Sequence, residues 1–337
     1  MSMKNSFFDA IGKSAVSSVS EKIVALAPMA GFTDSAMRII SNRYGADYSV
    51  TEMVSARAVY YNDRKTYALA KIREGEGNVG IQIFGSEPDI MAFAAERLSN
   101  PEGSLPPKVI DINMGCPVNK IFSNGEGSAL MRSPELIYKI VKATSGATAL
   151  PVTVKLRAGI SEGAKNAVEC AKAAEEGGAS LVAVHGRTRA QMYSGEADRE
   201  IIKDVKLALK IPVLANGDIS SGTDALSMLR KTGADGIMIG RAVIGNPFIF
   251  SEIKAALRGE VYTPPTLSER VETALAQLSL SIEDKGESIA VREARKQIAL
   301  YLRSFRGASA ARAEINRANT YSDVERALMS VCRENNI

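Results

Sequence analysis

Val109-Ile110-Asp111-Ile112-Asn113-Met114-Gly115-Cys116 carries the pattern that decides the fold, a short strand rich in Val and Ile that runs into polar residues and a glycine turn. The same arrangement recurs through roughly the first 240 residues, with strands expected at 23–27, 48–50, 79–83, 109–112, 152–154, 181–184, 213–215 and 236–239. Amphipathic helical stretches fill the intervals, among them 34–43, 88–98, 134–143, 164–176 and 223–231. Short apolar runs alternating with helices are those of parallel strands buried on both faces. Eight units predict a closed (β/α)₈ TIM barrel, an α/β fold whose active site is assembled at the C-terminal ends of the strands.

The 337-residue chain exceeds the roughly 250 residues typical of such a barrel, which leaves about eighty for a second unit. Residues 1–22 read as a lead-in without the apolar core of a secretory signal. Residues 23–257 read as the barrel, and 258–266, with Gly259 and Pro264-Pro265, as a linker. Residues 267–337 show apolar i, i+3, i+4 spacing and no strand-like run, which predicts a small helical bundle. No apolar stretch is long enough to cross a bilayer, so no membrane association is expected. Three widely spaced cysteines, Cys116, Cys170 and Cys332, fit neither a disulfide framework nor a metal cluster. A reducing cytoplasm is the expected compartment and no metal is expected. A net charge of +4 does not by itself demand a nucleic-acid partner, but it suits an anionic ligand.

Two connections are long, 115–132 after strand four and 186–198 after strand six, and both belong to the C-terminal face. Asn216-Gly217-Asp218 and Gly240-Arg241 follow strands seven and eight, where barrels bind phosphate through backbone N–H groups. A pair of tight turns with a solvated arginine would explain the glycines but not their joint position. Lys155, at the mouth of strand five, calls for an anion or electron-rich ring to offset its burial. Gln82 lies inside strand three near its end, and His185, the only histidine, follows strand six. Cys116 sits on a loop long enough to fold over a substrate; it suits an acid at least as well as a nucleophile, because no histidine in its motif would deprotonate it. Arg292, Arg295, Lys296, Arg303, Arg306, Arg312 and Arg317 face only Glu293 and Glu314 within their span, a density that suits a phosphodiester backbone rather than a merely solvated surface.

Taken together these residues resemble the bacterial tRNA-dihydrouridine synthases, flavoenzymes that reduce the C5=C6 bond of uridine. Leu26-Ala27-Pro28-Met29-Ala30-Gly31-Phe32-Thr33-Asp34 is similar to the family's opening motif, and Asp111-Ile112-Asn113-Met114-Gly115-Cys116-Pro117 to its active-site signature. His185-Gly186-Arg187-Thr188-Arg189, Asn216-Gly217-Asp218 and Ile239-Gly240-Arg241 extend the match, as do Ala294-Arg295-Lys296-Gln297-Ile298 and Glu314-Ile315-Asn316-Arg317-Ala318. The resemblance implies FMN held by Pro28, Met29, Ala30, Gln82, Lys155, His185, Asn216, Gly217, Asp218, Gly240 and Arg241, with NADPH or NADH as reductant. It implies Cys116 as proton donor and tRNA as partner, contacted by Asn113, Arg187, Arg292, Arg295 and Lys296, without an obligate protein partner. Two departures bear on substrate detail: Gln297 where relatives often carry histidine, and Arg199 where an aromatic residue often follows the Ala-Asp pair.

Three other readings share part of this set. A flavin barrel acting on a free metabolite, of the dihydroorotate dehydrogenase kind, has no need of the basic helical region. A non-catalytic RNA-binding protein has no need of Cys116 and Lys155 together. A phosphosugar isomerase would keep the phosphate loops and lack flavin.

Overall fold

The computed structural model describes residues 6–13 and 18–337; residues 1–5 and 14–17 of the expected lead-in lie outside the described residues. Eight parallel strands form the inner wall: β1 (Ile23–Leu26), β2 (Tyr48–Val50), β3 (Val79–Phe84), β4 (Val109–Met114), β5 (Val152–Arg157), β6 (Leu181–His185), β7 (Val213–Asn216) and β8 (Gly236–Ile239). Each pairs with the next, and β8 returns to β1 in the register Ile23↔Gly236 through Leu26↔Ile239. The joint between β2 and β3 rests on only two pairs, Ser49↔Val79 and Val50↔Gly80. Val54–Ser55 adds a short pairing along the end of β3. Gly80 is required at this joint, since a Cβ there would lie 2.3 Å from the Tyr48 hydroxyl oxygen.

Several strands run further than the apolar pattern indicates. β4 continues to Met114 and β5 to Arg157, through the pairs Asn113↔Lys155 and Met114↔Leu156. β6 reaches His185, which pairs with Arg157 on one side and Asn216 on the other. Polar side chains here end the hydrophobic run but not the ladder, because they point into a cavity rather than a dry core. The helix expected at 34–43 starts at Ser35, with Asp34 outside it as cap, its carboxylate accepting from Met37 N at 3.0 Å.

Packing divides into three cores. The largest fills the layer between strands and outer helices, with Ile81, Ile112, Val154 and Ile237 fully buried. A second lies inside the barrel and includes Ala25, Tyr48, Val109, Leu181, Leu214 and Met238. The lead-in contributes to it: the short helix Phe7–Ala10 places Phe7 and Phe8 in that core, the Phe7 ring 5.1 Å from Tyr48 in an edge-on contact. Four helical residues carry too little periodicity to be read as structure, and it is burial that holds them.

The third core belongs to the C-terminal helices Leu267–Lys285, Glu287–Ala294, Ala308–Ile315 and Tyr321–Glu334. The chain leaves the helix Ile249–Arg258 through Gly259 at φ +71 and re-enters helix after Thr266, whose hydroxyl caps Glu269 N. This core is sewn to the barrel by Tyr44, whose hydroxyl lies 2.7 Å from Thr273 Oγ1 and whose ring meets Phe248 at 4.6 Å. Lys285 adds a 2.7 Å ion pair with Asp34. Among the described residues, no helix is long and apolar enough to cross a membrane.

Phe7→Ala should destabilise the protein by about 3 kcal/mol, the low end for emptying a buried phenylalanine site. Denaturant unfolding checks this, and a loss below about 1 kcal/mol would mean that the barrel floor closes without the ring.

Candidate active site

The strand ends converge on one cavity of about 1390 Å³. That is larger than the roughly 300–1,000 Å³ of a site for one small molecule, so two stacked ligand groups fit. Pro28, Met29 and Ala30 line it after β1, Gln82 on β3, Asn113 on β4 and Cys116 just after it. Lys155, His185, Arg187, Asn216, Gly217, Asp218, Gly240 and Arg241 complete the wall. Every barrel residue singled out from the sequence therefore meets in one place. Arg292, Arg295 and Lys296 do not line it. Arg295 donates to Ala318 O at 2.5 Å, while the Lys296 ammonium sits 4.8 Å from the centre of the Phe32 ring, a cavity residue.

Lys155 Nζ donates to Asn216 Oδ1 at 3.1 Å, and Asn216 Nδ2 is spent on Met238 O at 2.7 Å. Burial, reinforced by Arg157, draws Lys155 down to about 8, so it remains a cation at neutral pH. Burial and the ring of cations Lys155, Arg157, Arg187 and Arg241 push His185 down to about 2. Its imidazole is neutral and offers one N–H. Burial raises the Cys116 thiol above its ordinary value, and the weaker pull of Arg157 and Lys155 does not reverse this. Cys116 is thus a thiol, a proton source, at neutral pH.

The loop bearing Cys116 is held from three sides. Asn113 Oδ1 accepts from Cys116 N at 2.9 Å, Ser128 Oγ donates to Cys116 O at 2.7 Å, and Arg157 Nε donates to Gly115 O at 2.7 Å. Arg157 also reaches Thr188 O and Met192 O, at 3.0 and 2.9 Å, and so ties this loop to the one after β6. Arg187 is buried, its guanidinium committed to Asp218 Oδ1 at 2.7 Å, to Ser194 O at 3.0 Å and to Gly195 O. It orders the loop and Asp218 more than it faces the open cavity. Tyr193 lies under the Arg241 guanidinium, 4.6 Å from ring centre.

The donor set fits a phosphorylated, electron-rich ring system. Lys155, Arg157, Arg187 and Arg241 converge around His185, Asp218 is already paired with Arg187, and Glu196, Glu200 and Asp224 line other parts of the wall. A Cβ at Gly240 would point into open cavity, with nothing nearer than Met29 Sδ at 4.0 Å, so the glycine leaves a cradle free. Gly217 answers a different need: a Cβ there would lie 2.6 Å from Ala197 Cβ.

A family description, Dihydrouridine synthase (Dus), matches residues 25–336, a span that contains the whole cavity and the C-terminal helices. The chain belongs to the dihydrouridine synthase family. It is 40% identical over 298 residues to a probable tRNA-dihydrouridine synthase of Rickettsia conorii, covering 88% of this chain and 89% of that one. It is 43% identical over 293 residues to tRNA-dihydrouridine synthase B of Pseudomonas putida, covering 86% of each. Among solved structures, histamine dehydrogenase from Rhizobium sp. 4-9 shares the barrel at a TM-score of 0.54 and 13% identity, over 77% of this chain; the chain spans about half of that protein, 49%.

Both departures from the family pattern have a place in the structure. Gln297 is buried and accepts from Gln277 Nε2 at 3.0 Å, while Tyr301 donates to Gln277 Oε1 at 2.6 Å, a network internal to the helical core. Arg199 donates to Ser227 Oγ at 2.8 Å and lines the cavity. Arg157, Tyr193 and Arg303 also line it without having been singled out for the cavity. For Arg157 a signal existed, since it lies two residues beyond Lys155 on one strand and so shares its inward face.

His185 binds no proton in the folded state across the ordinary range, whereas the unfolded chain binds one below about 6.5. Its contribution is therefore complete above that pH and is lost as pH falls. Between pH 6.5 and 5 this amounts to about 2 kcal/mol. Unfolding of wild type and His185→Asn at pH 7.5 and 5 should show the wild type losing that much more; parallel losses would refute it.

Proposed function

We propose that this protein reduces the C5=C6 bond of uridine in tRNA, using FMN that NADPH or NADH reduces, in the cytoplasm. The observation that carries the reading is geometric: Cys116, its loop held by Asn113, Ser128 and Arg157, shares one cavity with Lys155, His185, Asn113 and Arg241. FMN, when bound and reduced by NADPH or NADH, would supply the hydride for uracil C6. Backbone N–H groups at Gly217 and Gly240, with Arg241, receive its phosphate, and the neutral N–H of His185 adds a hydrogen bond there. Pro28, Met29, Ala30 and Gln82 would hold its ring system, with Asn216 and Asp218 setting the surrounding loops.

Lys155 provides a fixed positive charge where reduction places negative charge. Asn113 hydrogen-bonds the uracil and orients it. Cys116 then gives its proton to C5, and the resulting thiolate is reprotonated from water. Arg187 acts as a positioning residue for the loop above the base. The base must leave its stack to enter, at a cost of a few kcal/mol, so the RNA needs a grip outside the cavity. Arg303 supports such a grip, since it belongs to the C-terminal region and still lines the cavity; Arg292, Lys296, Arg306, Arg312 and Arg317 are exposed in the same region. That continuity favours tRNA over a free metabolite.

The protein should purify yellow with non-covalent FMN, and Arg241→Ala should weaken its retention; wild-type protein that stays colourless after incubation with FMN would overturn the cofactor assignment. Cys116→Ala should leave flavin reduction by NADPH near wild type while slowing uridine reduction about 10²–10⁴-fold, the span for a positioned acid. Arg303→Gln, Arg306→Gln and Arg312→Gln together should flatten the slope of log tRNA affinity against log salt by up to about two to three units. An unchanged slope would move recognition away from these residues.

A further inference from the structure

Asp111 is the one carboxylate inside the barrel wall that the reaction above does not use. It is 3% exposed and does not line the cavity. Its Oδ1 accepts from Thr153 Oγ1 at 2.5 Å and its Oδ2 from Gln82 Nε2 at 2.7 Å. Gln82 Oε1 then accepts from Asn113 Nδ2 at 2.7 Å. Asn113 Oδ1 in turn accepts from Gly115 N at 3.1 Å and Cys116 N at 2.9 Å.

Side-chain amides can turn end for end at little steric cost, so their direction must be imposed from outside. Both ends of this chain impose the same one. A carboxylate only accepts, so Gln82 must turn its NH₂ toward Asp111 and its oxygen toward Asn113. Backbone N–H groups only donate, so Asn113 must turn its oxygen toward Cys116 and its NH₂ toward Gln82. The row is buried, where an unmatched donor or acceptor is costly, so the two ends act as one unit.

We infer that Asp111 is a positioning residue that fixes the amide directions of Gln82 and Asn113 and, through Asn113 Oδ1, the placement of the Cys116 loop. This rests on the assignment of Cys116 as proton donor. Asp111 sets which edge each amide shows to the cavity, and it does so from a distance, through Gln82. The acceptor matters more than the charge: asparagine at 111 can still present its oxygen to Gln82 and turn its NH₂ to the Thr153 hydroxyl, which can accept.

The test compares Asp111→Leu, which removes the acceptor, with Asp111→Asn, which keeps it, in the full-length flavin-loaded protein. The first readout is the rate of iodoacetamide modification of Cys116, followed by mass spectrometry of its peptide so that Cys170 and Cys332 do not contribute. The second is single-turnover reduction of tRNA uridine by pre-reduced enzyme. Asp111→Leu should speed modification about tenfold and slow the turnover about 10–100-fold, the range for a reacting group displaced by about 1 Å. The salt dependence of its tRNA binding, which the exposed arginines of the C-terminal region supply, should stay near wild type. Asp111→Asn should stay within a few-fold of wild type in both readouts. If Asp111→Leu does not fold, Asp111→Ala, which removes the acceptor with a smaller side chain, takes its place; the same changes are expected. Unchanged Cys116 modification in the acceptor-free variant, or an Asp111→Asn effect as large, overturns the inference. Wild-type protein that forms no dihydrouridine would sink the proposed reaction instead, and the modification rates would still decide the role of Asp111.

Discussion

Closing eight parallel strands into a ring sends every carboxyl end to one rim, and the rest of this molecule follows from that closure. The joint between β2 and β3 has only two residue pairs, so it depends on the fit of Tyr48 against Gly80 more than on ladder length. The interior mixes small and large groups: Ala25 and Ala183 lie in it beside Tyr48, Leu181, Leu214 and Met238, and Gly80 gives Tyr48 its room. Polar side chains then collect at the rim, where the ladder continues but the dry core does not.

Around His185 the rim is cationic. Lys155, Arg157, Arg187 and Arg241 surround a neutral histidine, Asp218 is tied to Arg187 and Asp111 lies below, while Glu196, Glu200 and Asp224 also line the cavity. Such a site is costly to hold without an anion, and the price is reduced by giving each arginine carbonyls to hold. The same bonds brace the two long loops against each other. Order in the loops and affinity for negative charge are thus consequences of one set of guanidinium groups.

The sequence reading reached the barrel because apolar runs and helical stretches alternate without interruption, and it reached the cavity because strand ends in such a fold must meet. It stopped strands short at Asn113, Lys155 and His185, where polarity marks the cavity and not the end of the ladder. It did not reach the row from Asp111 to Cys116, since Gln82 and Asn113 lie 31 residues apart and nothing local announces their contact. Lys296 and Arg295 show a different limit. Both look like free cations in a basic run, yet one is laid on Phe32 and the other holds the turn at Ala318. Gln297 is informative for the same reason, because its burial shows a packing role that residue type alone does not reveal.

The placement of Phe7 bears on how the chain is made. Its core partners include Tyr48, Leu181, Leu214 and Met238, and the last of these leaves the ribosome some 230 residues after Phe7 itself. At about 5–20 residues per second, the N-terminal segment waits roughly 10–50 s before its binding site is complete. During that interval two phenylalanines and an isoleucine have no native surface to cover them. The segment that seals the barrel is therefore synthesised first and docks late, and the nascent chain must keep it from other apolar partners until the eighth strand arrives.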